Sequence, residues 1–156
     1  MLTIALGNDH TAFPIRQDLI QFLEEELQCR VLDFGTDSDK STDYPLYAHK
    51  VARAVLKGDA GLGILMCGTG VGISIAANKI RGIRCALCYT PEVARMVHRH
   101  NNPNILAFGV RTQSLDEIKS CLHAFMEEKY ERGRHERRLE LIRKLEIEQE
   151  DFDGGH

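Results

Sequence analysis

Cys67-Gly68-Thr69-Gly70-Val71-Gly72 is the stretch whose residue types and spacing point most directly to chemistry. Its three glycines allow a sharp backbone turn that aims several N–H groups at one point, and the run opens a helical segment, Ile73 to Lys79. Converging N–H donors at a helix N-terminus make a site for an anion or oxyanion. A Walker loop needs Gly-Lys-Ser/Thr, and no lysine follows here before Lys79. A dinucleotide fingerprint needs a glycine where Ile73 stands and an acidic residue in the region of Cys88. A tight turn with no ligand is the alternative reading of the loop taken alone.

Cys67 gives the loop its direction. It ends an apolar run and precedes a helix start, a setting that stabilises a thiolate. A thiolate facing several N–H donors suits abstraction of a carbon-bound proton, with the resulting enediolate held by those donors. Thr69 is placed to pass protons between two substrate oxygens. An isolated cysteine is otherwise a small buried hydrophobe. The remaining cysteines read as packing or surface residues. Cys85 and Cys88 lie three apart in a predicted strand, which puts them on opposite faces, and no second C-x-x-C completes a zinc set. No His/Cys/carboxylate cluster has ligand spacing along the chain, so no metal is expected.

Asp9-His10 follows the first strand-like run, where a carboxylate and an imidazole can handle a sugar hydroxyl and its proton. His100-Asn101 closes a helical segment, whose dipole favours a charged imidazole; C-capping is the plainer role for His100. His98 is read as structural. Arg134, His135, Arg137 and Arg138 crowd the start of the last helix, where cations oppose the dipole unless an anion binds. Arg134 and Arg138 are one turn apart, and Arg138 continues the apolar stripe of Leu141, Ile142 and Leu145. That alignment with an expected buried stripe suggests a phosphate clamp. A basic helix start paired with Glu131, Glu136 and Glu140 is the competing reading.

These residues need a scaffold, and the apolar patterning supplies one. Short, nearly continuous apolar runs, as expected of parallel strands covered on both faces, occupy Leu2–Gly7, Arg30–Phe34, Leu62–Met66, Arg84–Cys88 and Ile105–Phe108. Helical segments alternate with them near Phe13–Glu26, Tyr44–Lys57, Ile73–Lys79, Pro91–Arg99 and Leu115–Glu128, with a last one over Arg134–Gln149. Thr90-Pro91, the Ser114/Glu117 capping box and Asp43 before Tyr44-Pro45 mark helix starts. The fold class is therefore α/β, a three-layer α/β/α sandwich with a parallel sheet of about five strands. A single domain over residues 1–150 and a flexible tail over 151–156 are expected.

Composition narrows the function. At 156 residues the chain can bury a real core, and 43% hydrophobic with 28% charged residues is ordinary for a globular protein. A net charge of −3 and the absence of Trp argue against nucleic-acid binding, and no apolar run reaches membrane-spanning length. Five cysteines without a signal-peptide pattern suggest free thiols and a cytoplasmic location.

Taken together, Asp9-His10, Thr42-Asp43-Tyr44-Pro45, the Cys67–Gly72 loop, Ala76-Ala-Asn-Lys79, His100-Asn101 and Gly133-Arg-His135 resemble the B-type ribose-5-phosphate isomerases, in collinear order over Ile4 to about Leu145. That family also holds allose-6-phosphate and galactose-6-phosphate isomerases. The resemblance implies a cofactor-free aldose–ketose isomerase, a homodimer or dimer of dimers, with sites at the subunit interface. It implies that Cys67 moves the proton between C2 and C1 and that Thr69 assists at the oxygens. Gly68, Gly70, Val71 and Gly72 would supply backbone donors, His100 would open the furanose ring, and Asp9 would contact sugar oxygens. His10, Arg111, Arg134 and Arg138 would hold the phosphate, while Tyr44, Asn78 and Asn101 would line the sugar site. Some relatives carry a glutamate where Ile73 stands here; isoleucine cannot take a proton, which leaves the task to Cys67. Ala12, Pro14 and Pro103 depart from the common pattern and bear on local loop shape. A six-carbon sugar phosphate and a non-catalytic binding subunit are the alternatives, and an activated thiolate is superfluous in the second.

Overall fold

The computed structural model describes residues 1–154, with side chains to residue 148. Five strands form one sheet: β1 (Thr3–Asn8), β2 (Arg30–Asp33), β3 (Leu62–Cys67), β4 (Cys85–Leu87) and β5 (Ile105–Gly109). Every pairing is parallel and the order is β2-β1-β3-β5-β4. A single 3₁₀ turn, His10–Ala12, precedes α1 (Phe13–Glu25). The other helices are α2 (Tyr44–Leu56), α3 (Val71–Asn78), α4 (Pro91–Asn101), α5 (Leu115–Met126) and α6 (Arg134–Gly154). The segment read as a tail thus begins within the range of α6, and residues 155–156 lie outside the described residues.

Strand alternation divides the core into two layers. Ile4, Leu6, Ile64, Met66, Leu106 and Phe108 face α1, α4 and α5, meeting Leu19, Leu23, Ala94, Ile118 and Leu122. Ala5, Leu65, Cys67, Ile105 and Ala107 face α2 and α3, meeting Ala48, Val51, Ile73 and Ala77. Each fully buried Leu, Ile or Phe contributes about 1.5–3 kcal/mol through removal from water. Burial on both sides explains why the strands read as apolar runs rather than alternating ones.

The local signals at helix starts differ in strength. Thr90 accepts the Val93 N–H at 3.2 Å, and Ser114 and Glu117 form both bonds of a capping box. Asp43 stands at the N-cap of α2 but makes no side-chain cap bond; Pro45 supplies the start signal there. Gly58 adopts φ +82° just past α2, as a helix-terminating glycine does. Helix α3 begins two residues before the predicted Ile73, because the glycine loop turns directly into it. Helix α4 runs to Asn101, where Asn102 ends it with φ +40°.

The chain leaves β1 for β2 on one side and places β3 on the other, so the order reverses between β1 and β3. Ligand crevices open outside the carboxyl ends of strands at such a switch. Asp9 and Cys67 stand at that place, and the Asp9 N–H donates to the Met66 carbonyl at 3.2 Å.

Candidate active site

A cleft of about 450 Å³ opens at the switch point, lined by Asp9, His10, Thr11, Tyr44, Cys67, Gly68, Thr69, Val71, Gly72 and Arg111. Nine of these ten are residues the sequence nominated; Thr11 is the addition.

Cys67 is the last residue of β3, only 4% exposed. The Gly70 N–H donates to its Sγ at 3.2 Å. Gly70 has φ +77°, and a Cβ there would stand 2.8 Å from the Phe108 carbonyl carbon. Only glycine both turns the loop this way and passes so close to β5. A Cβ on Gly72 would lie 2.6 Å from the Tyr44 ring, so that ring rests directly on the loop. Two further bonds pin the loop: the Arg111 N–H to the Gly68 carbonyl at 2.8 Å, and the Tyr89 hydroxyl to the Thr69 carbonyl at 2.7 Å.

The loop's N–H groups are not all free to meet substrate. That of Gly70 serves Cys67, and that of Val71 donates to Thr69 Oγ1 at 3.2 Å. The second bond uses a lone pair of Thr69 and leaves its hydroxyl proton available.

Asp9 is buried, and both the Thr11 N–H and the Thr11 hydroxyl donate to its Oδ1, at 3.0 and 2.5 Å. Oδ2 remains as an acceptor. The Asp-x-Thr spacing, which favours such a side-chain turn, is the signal that could have found Thr11. His10 Nδ1 accepts the Thr42 N–H at 3.2 Å, which puts the proton of a neutral ring on Nε2. Exposed Arg111 adds a cation at the rim.

The other nominated residues gather elsewhere. His100, in the last turn of α4, stacks on His135 with ring centroids 4.3 Å apart. Glu131 Oε2 stands 3.4 Å from His135 Nε2 and 4.0 Å from His100 Nε2, while Oε1 accepts from Arg99 at 2.6 Å. The Arg99 bond holds the Glu131 carboxyl below its ordinary range. Burial, then the nearby His100 and Arg134 charges, hold His135 below the usual histidine range. The fold therefore assembles a His/Glu/His set that ligand spacing along the chain does not reveal.

Arg134, Arg137 and Arg138 are all exposed. The stripe that Arg138 continues is not buried within the chain: Leu141, Ile142 and Leu145 are 52%, 44% and 64% exposed. With Leu139 and Asn101, Ile142 and Leu145 border a separate hollow of about 480 Å³ between α6 and β4. Asn78 also lies there, away from the cleft. Its amide exchanges two hydrogen bonds with the backbone of Cys85, at 2.8 and 2.9 Å, and so ties α3 to β4. His98 is structural, as expected: Nδ1 lies 2.6 Å from the Phe125 carbonyl and the ring stacks on Phe125. Cys85 and Cys88 do fall in opposite core layers, and burial pushes both thiols up to about 12.

Fold and cleft define a parallel α/β/α protein with a cysteine base candidate at the sheet's switch point. Residues 4–142 match the Ribose/Galactose Isomerase family model, and the chain belongs to that family. It is 46% identical over 146 residues to ribose-5-phosphate isomerase B of Escherichia coli (strain K12), covering 94% of this chain and 97% of that one. The fold superposes with a TM-score of 0.92 on ribose-5-phosphate isomerase B of Clostridium thermocellum, 40% identical, covering 95% of this chain and 99% of the other. The Mycoplasma genitalium isomerase B with bound ribulose-5-phosphate gives a TM-score of 0.87 at 35% identity, covering 94% and 97%.

Proposed function

We propose that this protein interconverts ribose 5-phosphate and ribulose 5-phosphate, with Cys67 as the base. The observation that carries the reading is the buried Cys67 Sγ, held by the Gly70 N–H in a cleft with Asp9, His10, Thr69 and Arg111. A thiolate there removes the C2 proton of the open-chain aldose, forming an enediolate across C1 and C2. The same sulfur returns the proton to C1, which leaves the C2 ketone. Charge that develops on the oxygens meets the α3 N-terminus and the remaining loop amides, and Thr69 carries a proton between O1 and O2. Asp9 Oδ2 accepts from a sugar hydroxyl, and His10 Nε2–H and Arg111 donate to the phosphate. The chemistry draws on the chain's own side chains and backbone amides.

Ring opening falls to His100, which takes the O1 proton and supplies one to the ring oxygen. Within one chain His100, Asn101, Arg134 and Arg138 do not line the cleft. The reading therefore includes a homodimer, alone or paired again, in which these residues of one protomer complete the cleft of the other. What supports it is the exposed apolar face of Leu141, Ile142 and Leu145 beside those cations, an area that solvent covers poorly. Among the described residues no helix is long and apolar enough to cross a membrane. This accords with the proposed cytoplasmic location.

A coupled turnover assay with ribose 5-phosphate, allose 6-phosphate and galactose 6-phosphate tests the assignment. The pentose should give the highest kcat/KM. A higher value for either hexose would assign the chain to the six-carbon branch, and no turnover of any would leave a binding subunit.

A further inference from the structure

His135 is 95% buried, yet its Nε2 has no hydrogen-bond partner. Glu131 Oε2 is 3.4 Å away but makes no hydrogen bond with it. A buried ring nitrogen left unpaired costs stability and marks a place for a further group. One donor atom each from His100, Glu131 and His135 lies within 4.8 Å of the others.

We propose that His100, Glu131 and His135 form a site for a divalent transition-metal cation of the Zn²⁺ class, and that its occupancy blocks the enzyme by engaging His100. The blocking step rests on the ring-opening role of His100; the cation site does not.

Donor chemistry selects the ion. Two imidazoles and one carboxylate suit Zn²⁺, Co²⁺ or Ni²⁺, whereas Mg²⁺ and Ca²⁺ need oxygen-rich shells. The positive charges of Arg134 and Arg138 oppose any cation here, so an ion must be held by directed bonds to nitrogen rather than by charge. Arg99 bonds to Oε1 of Glu131 and directs Oε2 toward the two rings, as an outer-layer partner orients a ligand. A tetrahedral Zn²⁺ with bonds near 2.0–2.1 Å brings ligand atoms to roughly 3.3 Å of one another. The three atoms must therefore close by up to about 1.5 Å. His100 and Glu131, both partly exposed, can do so by side-chain rotation about the buried His135. A fourth position remains for water or a substrate oxygen.

The test uses the full chain stripped of trace metal. Zn²⁺ affinity is measured by competition with a chromophoric chelator in the wild type, Glu131→Gln, His135→Gln and Cys67→Ser, with circular dichroism reporting the fold of each. Each of the first two substitutions should weaken Zn²⁺ by at least about tenfold, and Cys67→Ser should not. Co²⁺ on the wild type should show visible d–d bands without the near-ultraviolet sulfur charge-transfer band. That spectrum also tests the site independently of any variant that fails to fold. Equal Zn²⁺ affinity in wild type, Glu131→Gln and His135→Gln, or a sulfur band lost in Cys67→Ser, would overturn the site. Zn²⁺ should inhibit ribose 5-phosphate turnover at the concentration where it binds, with relief by chelator. Binding without inhibition would overturn the blocking step alone.

Discussion

The Gly70 amide donates to the Cys67 sulfur at 3.2 Å, and Gly70 can do so only because its φ is +77°. The proposed base and the turn that holds its sulfur are three residues apart and form one unit. Gly70→Ala would impose a left-handed backbone on alanine and drive its Cβ against the Phe108 backbone. We expect a cost of about 1–3 kcal/mol in urea unfolding and a larger proportional fall in kcat. Gly58→Ala is the control: its φ is +82°, but nothing lies within 4 Å of the added Cβ. It should lose some stability and keep its kcat. A Gly70→Ala enzyme as fast as wild type would separate the turn from the chemistry.

The thiols should be told apart by alkylation. Burial, followed by a neighbouring thiol or carboxylate, pushes Cys88 up to about 12 and Cys121 to about 11. At pH 8 a thiol near 12 is a thiolate only about once in ten thousand. Iodoacetamide at pH 8 should therefore label Cys67 first, with loss of activity and with protection by substrate, as read by peptide mass mapping. Because these folded-state values are raised, the stability they contribute is complete below the unfolded thiol value of 9.0 and is lost as pH rises from there to about 12. The urea midpoint should fall over that range, and less so in Cys88→Ala. Labelling of Cys88 or Cys121 before Cys67 would contradict the account.

Much of the scaffold was legible because each layer of the sheet buries whole strands. Runs such as Leu62–Met66 have little freedom to be anything else, and the 67–72 loop carried its own turn chemistry. Boundaries shifted where tertiary contacts decide: β4 shrinks to Cys85–Leu87, tied at its start by Asn78, and α3 starts at Val71 because Gly70 turns into it. The sequence placed Asp9, His10 and Cys67 at strand ends, and the fold brings them to one cleft. Helical spacing could not say whether the Leu141 stripe is covered, since that depends on what lies against α6. Nor could spacing reveal His135 with Glu131 and His100, which meet only where the end of α4 comes against the turn before α6.

Arginines on the last helix give the next test. Arg138→Ala should raise KM tenfold to a hundredfold with kcat little changed, since a remote phosphate contact contributes about 1.5–3 kcal/mol of binding. Arg137→Ala, off that face, should be nearly silent. Equal effects at the two positions would remove the helical-face argument.

Shared sites can be tested by mixing Cys67→Ala with His100→Ala, each nearly inactive on the ring-closed substrate. After joint unfolding and refolding, half the dimers should be hybrids, each with one whole site. Activity should recover to roughly a quarter of wild type, by two-fold symmetry. Recovery no greater than the sum of the parents, with hybrids confirmed by mass spectrometry, would place both residues in one chain's site.

The most direct measurement is the turnover of ribose 5-phosphate by Cys67→Ala beside its affinity for the same sugar phosphate. The lost sulfur acts in proton transfer, so kcat should fall by at least about a thousandfold while binding changes little. A variant that keeps more than about a tenth of wild-type turnover would show that another group moves the proton.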